Sequence, residues 1–202
     1  MKTEVLSPGN YYHIYNRGNN GEPLFFEEEN YIYFLKLYDK YISPIAETYA
    51  WCLMKNHFHF LVYLKSEEEI DISQLTYKTS TQPKIVSASR QFSHCFNSYA
   101  QTINKKYNRT GSLFEKSLER KRVESEKYFL KLIYYIHNNP VHHGVSSSIS
   151  NYRWSSYKSF LLTNPTRLKR TEVLDIFDGL ENFIFYHNYN QNLEEINRML
   201  FE

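Results

Sequence analysis

Cysteine is scarce in this sequence: Cys52 and Cys95 are its two thiols among 202 residues. Two are too few for a disulfide scaffold, and both fall within apolar patterns, so they are expected as reduced, buried thiols in a cytoplasmic protein. Long apolar runs are missing as well. No stretch reaches the ~20 apolar residues of a membrane-spanning helix, and the opening MKTEVLSPGN carries no apolar segment of a secretory signal. No membrane partner is expected. Internal repeats and long low-complexity tracts are also lacking. What is left is an ordinary globular chain, long enough for one sizeable core and a small appendage.

Net charge is small too, at +2, but its distribution is uneven. Between Lys84 and Arg122 nine Lys/Arg stand against Glu115 and Glu119, so the rest of the chain is acidic. A basic middle on an acidic chain points to a localised surface for a polyanion, with a solvated helix face as the plain alternative. Aromatics are plentiful, with 19 Tyr and 14 Phe. Most must be core, and a surplus is what stacking on exposed bases would use.

The order of elements is not a regular βαβ repeat. YYHIYNRGNNGEP reads as a strand running into a Gly/Asn turn, and FEEENYIYFLKLYDKYIS as a helix with acidic residues in its first turn. IAETYAWCLMK and HFHFLVYLK read as two strands of a hairpin turning at Lys55-Asn56. STQP (80–83) ends a loop. From Lys84 to Tyr107 apolar residues recur at steps of three and four, which predicts a long amphipathic helix. NRTGSLFEKSLERKRV supplies a turn and a strand, and ESEKYFLKLIYYIHNN a helix stopped by Pro140. NYRWSSYKSFLL, TEVLDIF and LEEINRML are expected as short helices. These elements predict an α+β fold with an antiparallel sheet.

Within HFHFLVYL, strand alternation puts His57 and His59 on one face and Phe58 on the other. Two converging neutral imidazoles make a metal-site candidate, although an outward strand face carrying two histidines fits the spacing equally well. On the helix before Pro140, Phe129, Leu132, Ile133 and Ile136 form an apolar stripe. Tyr135 flanks it with Asn139 one turn on, and Tyr134 points further away with Asn138 as its own partner. A tyrosine and an amide oxygen joined to the histidine pair would suit phosphoryl transfer: a divalent ion polarises a phosphate while a phenolate attacks it.

Five segments in order carry a resemblance. LMKNHFHFLV resembles the His-hydrophobic-His (HUH) segment of single-tyrosine HUH nucleases, and YIHNNPVHHG resembles their tyrosine-helix signature. YYHIYNRGNN, SYAQTINKKYNRTGSLFEKS and NYRWSSYKSF fall where REP-associated tyrosine transposases have similar segments. The resemblance implies a ferredoxin-like central antiparallel sheet flanked by helices, in a nuclease domain over 1–162 with a helical extension over 163–202. It implies His57, His59 and Asn139 as ligands of Mg²⁺ or Mn²⁺, and Tyr135 as the nucleophile. The expected activity is cleavage of single-stranded or hairpin DNA, with Tyr135 linked to the 5′ phosphate and a 3′ hydroxyl released for later rejoining. Arg17, Arg90, Lys105, Lys106, Arg109, Arg120 and Arg122 are the expected DNA contacts, and a monomer is favoured over a homodimer.

Lys55 stands where many relatives carry proline or an acidic residue, and His142-His143 where they often have Arg-Ala. A hairpin-DNA-binding protein that no longer cuts is the alternative. A zinc hydrolase barrel would need ~250 residues with alternating strands and helices. RNA binding would leave the histidine–tyrosine set unexplained.

Overall fold

The structure, a computed structural model, describes residues 4–75, 87–116 and 118–189. Its centre is a four-stranded antiparallel sheet built from β1 (Asn10–Arg17), β2 (Ala46–Met54), β3 (His57–Leu64) and β4 (Glu119–Val123), in the order β2-β3-β1-β4. Helices α1 (Glu28–Tyr41) and α2 (Ala88–Lys106) connect β1 to β2 and β3 to β4, giving the βαββαβ order of a ferredoxin-like fold. The α+β expectation holds.

Alternation along β3 divides the molecule into two cores. Phe58, Phe60, Val62 and Leu64 face α1 and α2, where Phe34, Phe92, Phe96 and Tyr99 complete an aromatic layer. The opposite face of the sheet receives α3 (Glu126–His142), through Leu132, Ile133 and Ile136 against Cys52, Met54 and Leu61. A bulge between Thr48 and Ala50 shifts the register of β2, so that Ala50, Cys52 and Met54 all belong to this second core. The two thiols are free and buried, one in each core.

Both hairpin and helix ends have local causes. The carbonyl of Lys55 accepts from Leu24 N at 2.9 Å and Phe25 N at 3.0 Å, which ties the β2–β3 turn to the segment before α1. Gly18 N donates to Asn56 O at 2.8 Å from the other side, and a Cβ at Gly18 would run into the Glu22 carbonyl. Glycine is therefore required by close approach beside the histidine strand. Helix α1 opens with a capping box between Glu27 and Asn30, and α3 with Ser125 accepting from Tyr128 N.

Three expectations change. Helix α2 starts at Ala88 after the cap Ser87, and residues 84–86 lie outside the described residues, as do STQP and LEEINRML. Helix α3 continues through Pro140 to His142. Proline forfeits one backbone bond there, and the turn closes anyway because His143 N reaches Asn139 O at 3.0 Å while Val145 N and Ser146 N reach Pro140 O. In NYRWSSYKSFLL, Asn151 ends a 3-10 turn and the α-helical part is α4 (Tyr157–Leu161) alone. The residues before it run beside β2 with bonds Leu53 N to Trp154 O and Ser156 N to Trp51 O, because that edge of the sheet has backbone groups to satisfy. TEVLDIF falls in α5 (Arg170–Ile176). A further helix not anticipated, α6 (Leu180–Asn188), brings Phe183 and His187 into the second core.

Candidate active site between the histidine strand and the tyrosine helix

The side chains of His57 and His59 emerge from β3 on the α3 side, as alternation requires. Tyr135 and Asn139 come from successive turns of α3 to meet them. His57 Nε2 lies 2.7 Å from Asn139 Oδ1, and the His59 and Tyr135 rings meet edge to face at 5.3 Å between centroids. His57, His59 and Tyr135 line one cavity of about 600 Å³, with Tyr15 and Arg17 of β1 and His142 and His143 at the end of α3. Tyr134, the alternative tyrosine, turns toward Tyr186 and His187 of α6 instead.

Burial sets the protonation of this cluster. It lowers His57 to about 4, with the Asn139 contact opposing and the charges of His143 and Arg17 adding. Burial also lowers His59 well below the ordinary imidazole range and His13 to about 3. At neutral pH all three are neutral and carry lone pairs. Burial raises the Tyr135 phenol; the Asn139 amide opposes this, and Tyr15 and Cys52 add to it. The nucleophile candidate is therefore a phenol at neutral pH, and attack requires removal of its proton.

The donor set suits a divalent cation. His57 places Nδ1 2.8 Å from Asn56 Oδ1 and Nε2 2.7 Å from Asn139 Oδ1, so both ring nitrogens face amide oxygens. A neutral imidazole has one N–H, and one of these contacts is therefore short of a proton. A cation at the Nε2–Oδ1 contact would satisfy both lone pairs. Asn139 Nδ2 is buried without a hydrogen-bond partner among the described residues, so this amide is not held by a complete network. No group of three or more His, Cys, Asp or Glu among the described residues is arranged to hold a metal. Two imidazoles and an amide oxygen would leave coordination positions for phosphate oxygens and water.

The expected DNA contacts fall into three places. Arg17 is at the cavity mouth, paired with Glu115. Arg120 and Arg122 are on β4 opposite Ile14 and Tyr12, hence on the α1–α2 face of the sheet; they bond to Glu4 and Asn10. Lys106 pairs with Glu27 and Arg109 with Glu22. Arg90 and Lys105 are exposed on α2 and have no ion pair among the described residues. The cavity also holds Tyr15, Lys116 and Glu119, which the sequence did not single out as site residues, and His143 of the His142-His143 pair. Behind it lies His13, fully buried with Nε2 2.9 Å from His59 Nδ1. Period-two alternation in YYHIYNR carries the signal for His13 and Tyr15, but it becomes readable only once β1 is known to pair with β3.

Comparison with known proteins adds fold-level support. No family model and no curated protein matches the chain. Among solved structures, a REP-associated tyrosine transposase bound to a REP hairpin superposes with a TM-score of 0.54 at 14% identity, covering 80% of this chain and 84% of that one. A bacterial tRNA(His) guanylyltransferase (Thg1)-like protein aligns with lower TM-scores. Its complex with GTP gives 0.38 at 12% identity over 70% of this chain and 71% of that one; its complex with ATP gives 0.40 at 13% over 89% and 75%. The sheet order, the helix placement and this superposition together show that the chain has the fold of a REP-associated tyrosine transposase.

Proposed function

We propose that the protein is a metal-dependent endonuclease and strand transferase for single-stranded DNA at hairpins, forming a 5′-phosphotyrosine intermediate at Tyr135. The observation that carries this reading is the convergence of His57, His59 and Tyr135, from positions far apart in the chain, on one cavity, with Asn139 buried against His57 beside it. The hairpin bound to the transposase of the same fold supports the substrate class.

In this reading His57, His59 and Asn139 hold Mg²⁺ or Mn²⁺, which when bound polarises the scissile phosphate and neutralises developing charge. The Tyr135 oxygen loses its proton and attacks phosphorus. A Tyr135 O–P bond forms, the P–O3′ bond breaks, and the leaving 3′ oxygen takes up a proton. The reverse attack by a 3′ hydroxyl would restore the phosphodiester and free the tyrosine. Arg17 at the cavity mouth is placed to meet a backbone phosphate by exchanging its bond to Glu115.

The depth of Tyr135, only 6% exposed, favours a second reading: a hairpin-binding protein that does not cut. A labelled hairpin cleavage assay with Mn²⁺ or with chelator separates the two. Cleavage should require the cation, and His57→Ala should lower it by at least the ~10–100-fold that loss of outer partners of a metal site costs. Equal cleavage in chelator would remove the metal from the reading, and specific binding without any cleavage would leave the binder.

Charge reversal at Arg90 and Lys105 tests the DNA track. The double variant Arg90→Glu/Lys105→Glu should weaken hairpin binding more at low than at high salt. The slope of log affinity against log salt should fall by about 0.7–0.9 for each lost phosphate contact. A loss independent of salt would place the defect in folding rather than in DNA contact.

A further inference from the structure

The buried imidazole of His13 has no part in the chemistry described so far. It lies on β1, opposite Leu61 of β3, and its ring stacks with Tyr15 at 4.6 Å and with His59 at 5.1 Å between centroids. Its Nε2 is 2.9 Å from His59 Nδ1. Its other nitrogen, Nδ1, is buried without a hydrogen-bond partner among the described residues.

Two neutral imidazoles joined in this way have two arrangements. In one, His59 Nδ1–H donates to His13 Nε2, and the His59 Nε2 lone pair is left for the cavity. In the other, His13 Nε2–H donates, and His59 must carry its proton on Nε2, where a cation could not be bound. His13 Nδ1 is unpartnered in both, as a bare N–H in the first and a bare lone pair in the second. No hydrogen bond beyond His13 among the described residues therefore commits the pair; Lys121, opposite on β4, adds its charge, and the cavity side of His59 decides the tautomer.

We propose that His13 is a positioning residue for His59, accepting the Nδ1 proton so that the His59 Nε2 lone pair is presented to a divalent cation. The inference rests on the metal reading of the cavity. His13 stands outside the ligand set, buried on β1 beside the histidine strand, and sets which tautomer the ligand takes. A histidine ligand held through its second nitrogen is also fixed in ring orientation.

The test compares the wild-type protein with His13→Gln and His13→Met without DNA. The Gln side chain reaches the place of Nε2 and keeps an acceptor there, whereas Met fills the space without one. Mn²⁺ affinity is read from the signal of free Mn²⁺ by electron paramagnetic resonance. The His59 tautomer is read from imidazole ¹⁵N shifts of the metal-free protein, and thermal melting controls for folding. His13→Met should bind Mn²⁺ about 10–100-fold more weakly and move the His59 proton toward Nε2, with His13→Gln within a few-fold of wild type. Unchanged Mn²⁺ affinity and tautomer in His13→Met would overturn the role of His13 alone, as would a wild-type His59 protonated on Nε2. Wild-type protein that takes up no Mn²⁺ would overturn the metal reading and this role with it.

Discussion

Tyr135→Phe should abolish covalent attachment to DNA, lowering adduct formation by more than about 10³-fold, while hairpin affinity stays within a few-fold of wild type. The substitution removes one oxygen from a side chain whose ring already packs edge to face on His59, so the ring contacts and the fold are kept. Measuring adduct by denaturing gel and affinity by titration on the same preparation separates the two effects. The cavity contains a second phenol, Tyr15, on the strand beside His59. An adduct that persists in Tyr135→Phe and disappears in Tyr15→Phe would move the nucleophile to β1. Burial raises Tyr135 above the ordinary phenol range. The wild-type rate should therefore climb with pH across the neutral range as the phenolate fraction grows, and a rate flat from pH 6 to 9 would show that proton removal does not limit attack.

Acid should unfold the protein at an unusually mild pH. His13, His57 and His187 are lowered to about 3, 4 and 4, and His59 and His137 lie well below the imidazole range, burial being the first cause for each. His137 and His187 form a buried chain: His187 Nδ1–H donates to Phe183 O, and His187 Nε2 lies 2.9 Å from His137 Nδ1. His137 Nε2 in turn lies 2.8 Å from the Ser156 hydroxyl. All five histidines are neutral in the fold and take up protons near pH 6.5 once unfolded. Their contribution is fully present above that pH and is lost as pH falls toward the folded values. His13, His57 and His187 would each forfeit about 2 kcal/mol by pH 5, at about 1.4 kcal/mol per pH unit below 6.5, and His59 and His137 lose stability in the same direction. Losses of this size reach the lower end of the roughly 5–15 kcal/mol of a typical domain. A circular dichroism titration should show a cooperative transition between pH 6 and 4, moved to lower pH by Mn²⁺, which binds neutral imidazole. Stability unchanged from pH 7 to 5 would contradict the burial of these rings.

Local pattern was enough for the parts of the fold whose cause is local. Alternation in HFHFLVYL placed His57 and His59 on one side, and the three-four spacing from Ala88 onward produced α2. The one-turn spacing of Tyr135 and Asn139 holds because both lie within α3, which then runs on through Pro140, where neighbouring backbone bonds outweigh the local rule. The basic middle read as a single DNA track, yet its Lys106 and Arg109 meet Glu27 and Glu22 from distant elements, as Arg17 of β1 meets Glu115, and no count of charge along the chain shows that. His13 was hidden for the same reason. Its meaning depends on β1 lying beside β3, a pairing that joins residues 46 apart in sequence.

Locating the covalent bond decides whether Tyr135 is the nucleophile. Wild-type protein would be incubated with Mn²⁺ and a pool of labelled single-stranded hairpins, the adduct isolated under denaturing conditions, digested, and the phosphorylated peptide identified by mass spectrometry. A nucleotide should be found joined through its 5′ phosphate to Tyr135, in Mn²⁺ and not in chelator. Tight hairpin binding with no adduct, or an adduct on another residue, would contradict it.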